Sequence, residues 1–465
     1  MKPIAFLFNL LLFLLPLTFF PHTSELFEFN KMILVYIFTV LIVFCWSVES
    51  IYKKRFIFKK TVLDLPIIIF LGTLAVSTLN SIDPRTSMLG YYGRFHGGLL
   101  SYSCYATLYW AYVSHINKKH SLKIIKTILI SLGMVSAYAA LEHTGRSPSC
   151  LLITGNFDAS CWVQDVESRV FGTFGQPNWL AAWIAATIPL AWASLCHFVL
   201  DTKSIQTKRH IGIVSRFRGN DIKYFVLFVL PFTTLLFTKS RSGLLGFAIA
   251  FTIFWSIALY VHRKNVKKIL SRFLLTTSYC LLAAILIWNP LSPPSEPPTP
   301  GVTESGDIRK IVWEGAIKLW KRYPLLGTGP ETFAYSYYET RPVAHNLTSE
   351  WNFVYNKAHN EYLNFLATTG TVGFSAYVLL IITSLFQISN VKFLISNQAP
   401  KNKMSKKLGQ LYSLDGSGIR LIPIALLSGY ISILVTNFFG FSTVAIGVLF
   451  FLFPAIAFKL NETHK

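Results

Sequence analysis

The residues able to do chemistry in this chain stand at the ends of apolar stretches, and most are cations. Arg94 and His96 lie in Gly93-Arg94-Phe95-His96-Gly97-Gly98. Lys239 and Arg241 lie in Lys239-Ser240-Arg241-Ser242-Gly243, a short break between two apolar runs. Gln176-Pro177-Asn178 begins a further run. Arg309 opens an amphipathic stretch, and His359 falls in Lys357-Ala358-His359-Asn360-Glu361-Tyr362. A guanidinium offers a rigid fork of donors to phosphate oxygens. An imidazole accepts a proton near neutral pH. The pair of functions suits a site for a lipid-linked phosphate with a base beside it. A charged pair at a tight junction between apolar runs is costly unless it faces protein, water or an anionic ligand. Each residue also has a plainer reading. Arg241 can be an anchor snorkelling at a helix end. Arg94 can be a turn residue paired with a carboxylate, and His359 a helix-start residue with no chemistry. His345 is expected at the surface. Gly327-Thr328-Gly329 reads as a tight turn, because it lacks the Gly-Lys-Ser/Thr that completes a phosphate loop.

The elements that must position these residues are membrane helices. Of 465 residues, 52% are hydrophobic and 14% charged, and the mean hydropathy is +0.47. A soluble chain carries nearer a quarter charged residues. The composition excludes a soluble enzyme, a disordered chain, a coiled coil, a small disulfide scaffold and most nucleic-acid binders. Apolar runs fall at 4–20, 32–48, 62–80, 97–116, 124–142, 178–199, 224–238, 244–261, 272–289, 373–390, 421–437 and 441–458. That predicts an all-α polytopic protein of about twelve spans. The net charge is +22. With the N-terminus inside, 29 of the 43 basic residues fall on inner segments, as the positive-inside rule requires. The basic run around Ser215-Arg216-Phe217-Arg218 is then a solvated inner loop rather than a nucleic-acid patch. The first run lacks a small-residue cleavage site and reads as the first helix. Both termini are expected in the cytoplasm.

Residues 1–289 therefore read as helices one to nine with short loops, 290–372 as one large extracytoplasmic loop, and 373–465 as the last three helices and a short tail. The large loop opens with Pro290, Pro293, Pro294, Pro297, Pro298 and Pro300, a stiff spacer. Ile308, Ile311, Val312, Leu319, Trp320 and Tyr323 share a helical face. Trp313 and Trp320 suit the bilayer interface. Cys45, Cys104, Cys196 and Cys280 read as apolar fillers within spans. Cys150 and Cys161 share one outer loop and can form a disulfide if that side is oxidising. Chance co-occurrence is the alternative.

The Ser240-Arg241-Ser242-Gly243 turn, the Arg309-x-x-x-Trp313 opening, Pro324-Leu325-Leu326-Gly327-Thr328-Gly329-Pro330-Glu331-Thr332-Phe333 and Ala358-His359-Asn360-Glu361-Tyr362-Leu363 with Gly370-Thr371-Val372-Gly373-Phe374 resemble the O-antigen ligase / O-antigen polymerase superfamily. Phe174-Gly175-Gln176-Pro177-Asn178-Trp179-Leu180-Ala181 is similar to it as well. The strongest likeness covers about 171–375.

That resemblance implies a GT-C-like helical glycosyltransferase of the bacterial cytoplasmic (inner) membrane, with its active site extracytoplasmic. It implies transfer of a glycan from an undecaprenyl-pyrophosphate carrier to a hydroxyl of a glycan, lipid or protein acceptor. It implies no cofactor, nucleotide sugar or metal. By motif position, His359 would be the general base, Arg241 the pyrophosphate ligand and Arg309 a second contact. Arg94, Lys239, Asn360 and Glu361 join as substrate-binding candidates, and Gln176 and Asn178 as residues shaping the site. A protein O-oligosaccharyltransferase differs only in acceptor, which the motifs do not encode. The short tail after Lys459 mildly favours a polymerase or ligase. A transporter or flippase would place charges mid-span and carry two related halves, whereas here the charges cluster on one face.

Overall fold

The computed structural model describes residues 2–200, 219–263, 266–288, 303–389 and 421–462. The proline spacer and most of the two longest basic loops, around 201–218 and 390–420, lie outside the described residues. Among the described residues there are helices and no strands. Each apolar run is helical: α1 (Lys2–Leu14), α2 (Glu28–Tyr52), α3 (Asp64–Leu79), α4 (Leu99–His115), α5 (Lys118–His143), α6 (Pro177–Leu200), α7 (Gly219–Phe237), α8 (Arg241–Val261), α9 (Val266–Leu286), then amphipathic α10 (Ser305–Arg322), and α11 (Glu361–Ser389), α12 (Leu421–Phe438) and α13 (Val444–Asn461). Eight of these, α2, α5, α6, α8, α9, α11, α12 and α13, are long and apolar enough to cross a membrane. The protein is an all-α polytopic membrane protein.

Two boundaries differ from the runs for physical reasons. The first helix stops at Leu14 although the apolar run continues. Pro16 cannot donate a backbone hydrogen bond and disfavours helix at the residue before it. The tenth run begins twelve residues early, because α11 joins a short helix to a span across Gly370, whose φ of 65° and ψ of −172° are not helical.

The bundle is built on small residues. α6 packs most extensively on α12, with α8 against both. A Cβ at Gly429 would meet the Ala186 carbonyl oxygen at 2.1 Å, and one at Gly243 would meet the Ala181 Cβ at 2.4 Å. Close backbone approach of this kind replaces the missing hydrophobic drive between helices in lipid. α6 and α13 are almost wholly buried, whereas α2, α8 and α9 present much of their surface outward.

A second, smaller core sits over one end of the bundle. Ile308, Val312, Ala316 and Leu319 of α10 bury against Phe333, Tyr337, Tyr355, Ala358 and Ala367. The apolar face read from the sequence is thus the packed face. Burial of each such side chain is worth about 1.5–3 kcal/mol. The tryptophans of α10 serve the same docking. Trp320 donates to Thr371 Oγ1 at 3.0 Å, and Trp313 meets Phe438 edge-on at 5.7 Å. His345 departs from its expected surface position. It is fully buried, and its Nδ1 lies 2.8 Å from the Tyr337 hydroxyl, because the turn Val343–Leu347 tucks the ring under α10.

The turn Pro324–Pro330 locks this small core to the bundle. Thr371 and Val372 donate backbone hydrogen bonds to Pro324 and Leu325, and Gly329 donates to Thr368. On its other side, Ser77 Oγ donates to the Leu326 carbonyl at 2.7 Å and Ser87 Oγ to the Pro330 carbonyl at 2.9 Å. Gly370 is required there, since a Cβ would meet the Leu325 oxygen at 2.2 Å. The kink and the turn therefore specify each other, and the segment between them carries His359.

Candidate active site

His359 stands just before α11 with a left-handed φ of 51°, rare for a side chain of this size. Two side-chain caps hold the backbone around it. Asn360 Oδ1 accepts from the Leu363 amide at 3.0 Å, and Asn364 Oδ1 accepts from the Ala358 amide at 3.2 Å. The ring packs against Tyr355 at 5.6 Å and Phe441 at 5.7 Å. Among the described residues neither ring nitrogen has a hydrogen-bond partner. Burial first, then the charges of Arg309 and Arg94, push its pKa down from 6.5 to about 4. The imidazole is therefore neutral at physiological pH and free to accept a proton.

Arg94 is held by aromatic faces rather than by the carboxylate that the plainer reading supposes. Its Cζ lies 4.9 Å from the Trp179 ring centroid and 5.5 Å from that of Phe441. Such cation–π contacts fix the guanidinium plane without consuming its charge. Arg309 projects from the first turn of α10, half-buried; desolvation lowers its pKa, with Tyr355 and Glu350 opposing. Arg94, Arg309 and His359 thus form one electrostatic cluster.

Arg241 is the first residue of α8, exposed at the positive end of a long helix. The hydroxyl of Ser240 accepts from the Gly243 amide and donates to Asn178 Oδ1 at 2.7 Å. Asn178 adjoins Trp179, which carries Arg94, so the two motifs share one junction. Gln176 contributes its carbonyl to the start of α6, accepting from Trp179 and Leu180. Gln176 thus supports backbone, while Asn178 contacts a side chain of the Ser240 turn. Lys239 is exposed and reaches only Ser168 Oγ, at 3.4 Å. Asn360 is a buried cap. Glu361 is buried beside Lys357 and accepts from the Ser442 amide.

Sequence reasoning missed three charged residues. Arg169 donates from Nε to the Thr238 carbonyl at 3.2 Å, at the foot of the Ser240 turn. Partial desolvation, then the nearby Arg309 charge, lower its pKa. Its place seven residues before Gln176, in the loop that carries Cys150 and Cys161, was the available signal. Lys357 and Glu331 form a buried ion pair, each side chain less than a tenth exposed. A Cβ on Gly97 would overlap the Glu331 carboxylate. The pair therefore ties the Arg94 segment to the strand of chain leading into His359. Cys150 and Cys161 are joined by a disulfide, 5.4 Å between Cα atoms, within the loop that carries Arg169.

The arrangement is that of a helical membrane protein in which Arg94 and Arg309, without an ion pair among the described residues, lie near the imidazole of His359. Residues 226–378 match the family model for O-antigen ligase, a match that supports a likeness to the O-antigen ligase / O-antigen polymerase superfamily. The matched segment holds Arg241, Arg309 and His359; Arg94, Arg169 and Asn178 precede it. No curated protein matches the chain. The activity that accompanies the domain is, broadly, glycosyl transfer or ligation, with a lipid-linked glycan and an acceptor as its general partners.

Proposed function

We propose that the protein moves a glycan from an undecaprenyl-pyrophosphate carrier to an acceptor hydroxyl, as a surface-polysaccharide polymerase or ligase. The observation that carries this reading is the partly buried imidazole of His359, with no hydrogen-bond partner among the described residues, which shares the Phe441 ring with the Arg94 guanidinium and lies within the electrostatic reach of Arg309. In the proposed reaction an imidazole nitrogen takes the proton of the acceptor hydroxyl. The hydroxyl oxygen bonds to the anomeric carbon as the bond from that carbon to the diphosphate oxygen breaks. Attack opposite the leaving group inverts the anomeric centre. Diphosphate is already a good leaving group, so the chief need is to stabilise its charge and orient the acceptor. Arg241, Arg309 and Arg94 suit the first task, and the start of α8 adds the helix dipole. The base contributes about 10²–10⁴-fold.

His359→Ala and Arg241→Ala test the reading in cells, with glycan transfer followed on gels and insertion followed by membrane fractionation. Both variants are expected to insert normally and to lose transfer. Full transfer by either removes that residue from the proposed chemistry. A reporter fused after residue 335 is expected to score as extracytoplasmic, and a cytoplasmic score would overturn the proposed side.

A further inference from the structure

Phe441 lies in the turn between α12 and α13, outside the segment that matches the O-antigen ligase family. Three chemically capable side chains meet its ring. The Arg94 Cζ is 5.5 Å from its centroid, the Lys357 Nζ 5.7 Å, and the His359 ring centroid 5.7 Å. The Trp179 ring is 5.9 Å away, on the same guanidinium. Arg94, Trp179 and the Lys357–His359 segment are three separate parts of the chain, and Phe441 supplies a fourth.

What orients these groups is otherwise thin. A general base usually takes its ring orientation from a hydrogen bond to its second nitrogen. His359 has none among the described residues, so Tyr355 and Phe441 are what fix its plane. Arg94 has no ion pair among the described residues, so Trp179 and Phe441 hold it instead. Lys357 is neutralised by Glu331. The turn bearing Phe441 is itself anchored. Asn437 Nδ2 donates to Ser442 Oγ at 2.9 Å, the Ser442 amide donates to Glu361, and the Val444 amide donates to Glu28 Oε2 at 2.7 Å. A ring on a turn fixed to three other segments can hold two reacting groups in register.

We propose that Phe441 is a positioning residue for glycosyl transfer, its ring setting the His359 imidazole and the Arg94 guanidinium in one fixed geometry. The proposal rests on the reading of His359 as base and Arg94 as donor ligand. Its test uses the full-length protein in detergent, with an undecaprenyl-pyrophosphate-linked oligosaccharide as donor. Phe441→Leu and Phe441→Met remove the ring and keep an apolar side chain. Each is expected to lower kcat roughly 10–100-fold, the scale of a misplacement of about 1 Å. The acid limb of the rate profile is expected to rise towards the ordinary imidazole range as water reaches His359. Phe441→Tyr and Phe441→Trp keep a ring and are expected to restore most of the rate.

Wild-type kcat in the folded Leu or Met variant, beside an inactive His359→Ala control, would overturn the positioning role and leave the base in place. A fully active His359→Ala would instead remove the base reading itself. Equal losses in the Tyr, Trp and Leu variants at unchanged melting temperature would also overturn the proposal, since the ring would then not matter. If the Leu variant fails to insert, the comparison of Met with Tyr and Trp decides the matter.

Discussion

The pH response of His359 is the sharpest handle on the site. Burial, then Arg309, then Arg94 bring its pKa from 6.5 to about 4. That displacement opposes protonation by about 3 kcal/mol. The folded value lies below the unfolded one, so between about pH 6.5 and about pH 4 the unfolded chain binds more protons. The contribution of His359 to stability is complete above the unfolded value and is lost as pH falls through the folded one. The same displacement sets the catalytic profile. The acid limb of kcat/KM, which reports the free enzyme, is expected near 4 and not near 6.5. Arg309→Met removes the second cause and leaves burial in place, so its limb moves up but stays below 6.5. Arg94→Met acts in the same direction by a smaller amount. A bound diphosphate neutralises these same guanidiniums, so the limb of kcat should lie above that of kcat/KM. Initial rates on a lipid-linked oligosaccharide between about pH 4 and about pH 9 measure all four limbs, with residual activity of the variants sufficing. A wild-type kcat/KM limb at 6.5, or coincident limbs for wild type and Arg309→Met, would refute the electrostatic account.

Other perturbations address the supports of the site. Arg169→Met should raise the donor KM roughly tenfold with a smaller change in kcat, the loss of one charge-assisted contact; an unchanged KM would exclude Arg169 from the anion site. Glu331→Gln strands the buried Lys357 ammonium and should cost up to about 3–5 kcal/mol, less whatever Glu361 returns. Combining it with Lys357→Met should recover part of the melting temperature in detergent, and no recovery would show that the two charges do not depend on each other. Gly370→Ala places a Cβ 2.2 Å from the Leu325 oxygen at a φ of 65°. It should cost about 1–3 kcal/mol of strain and loosen the turn at 324–330, which limited proteolysis would detect.

Some of this protein was legible residue by residue. The lengths of the apolar runs define the helices, because a backbone in hydrocarbon must satisfy its own hydrogen bonds. The cations at their ends mark the candidate site, because a charge there needs a reason. The amphipathic period of 308–323 foretold the face of α10 that packs. Most helix boundaries shifted by a few residues from the apolar runs, as at α2, α7 and α9, and the early stop of α1 has a single-residue cause at Pro16.

The sequence by itself determined the helices, the motif order and the residues with chemical capacity, since these depend on interactions within one turn or one run. Tertiary structure decided what those residues meet. Phe441 and Arg94 are separated by 347 positions, and nothing local marks an aromatic ring as the partner of a guanidinium. Glu331 and Lys357 cancel each other because the chain between them folds back through the small core that joins Phe333 to Tyr355 and Ala358. The free imidazole of His359 is likewise a property of the packing. Its lowered pKa comes from burial and from two arginines, one in the turn before α4 and one on α10, an effect of distance in space that spacing along the chain does not carry.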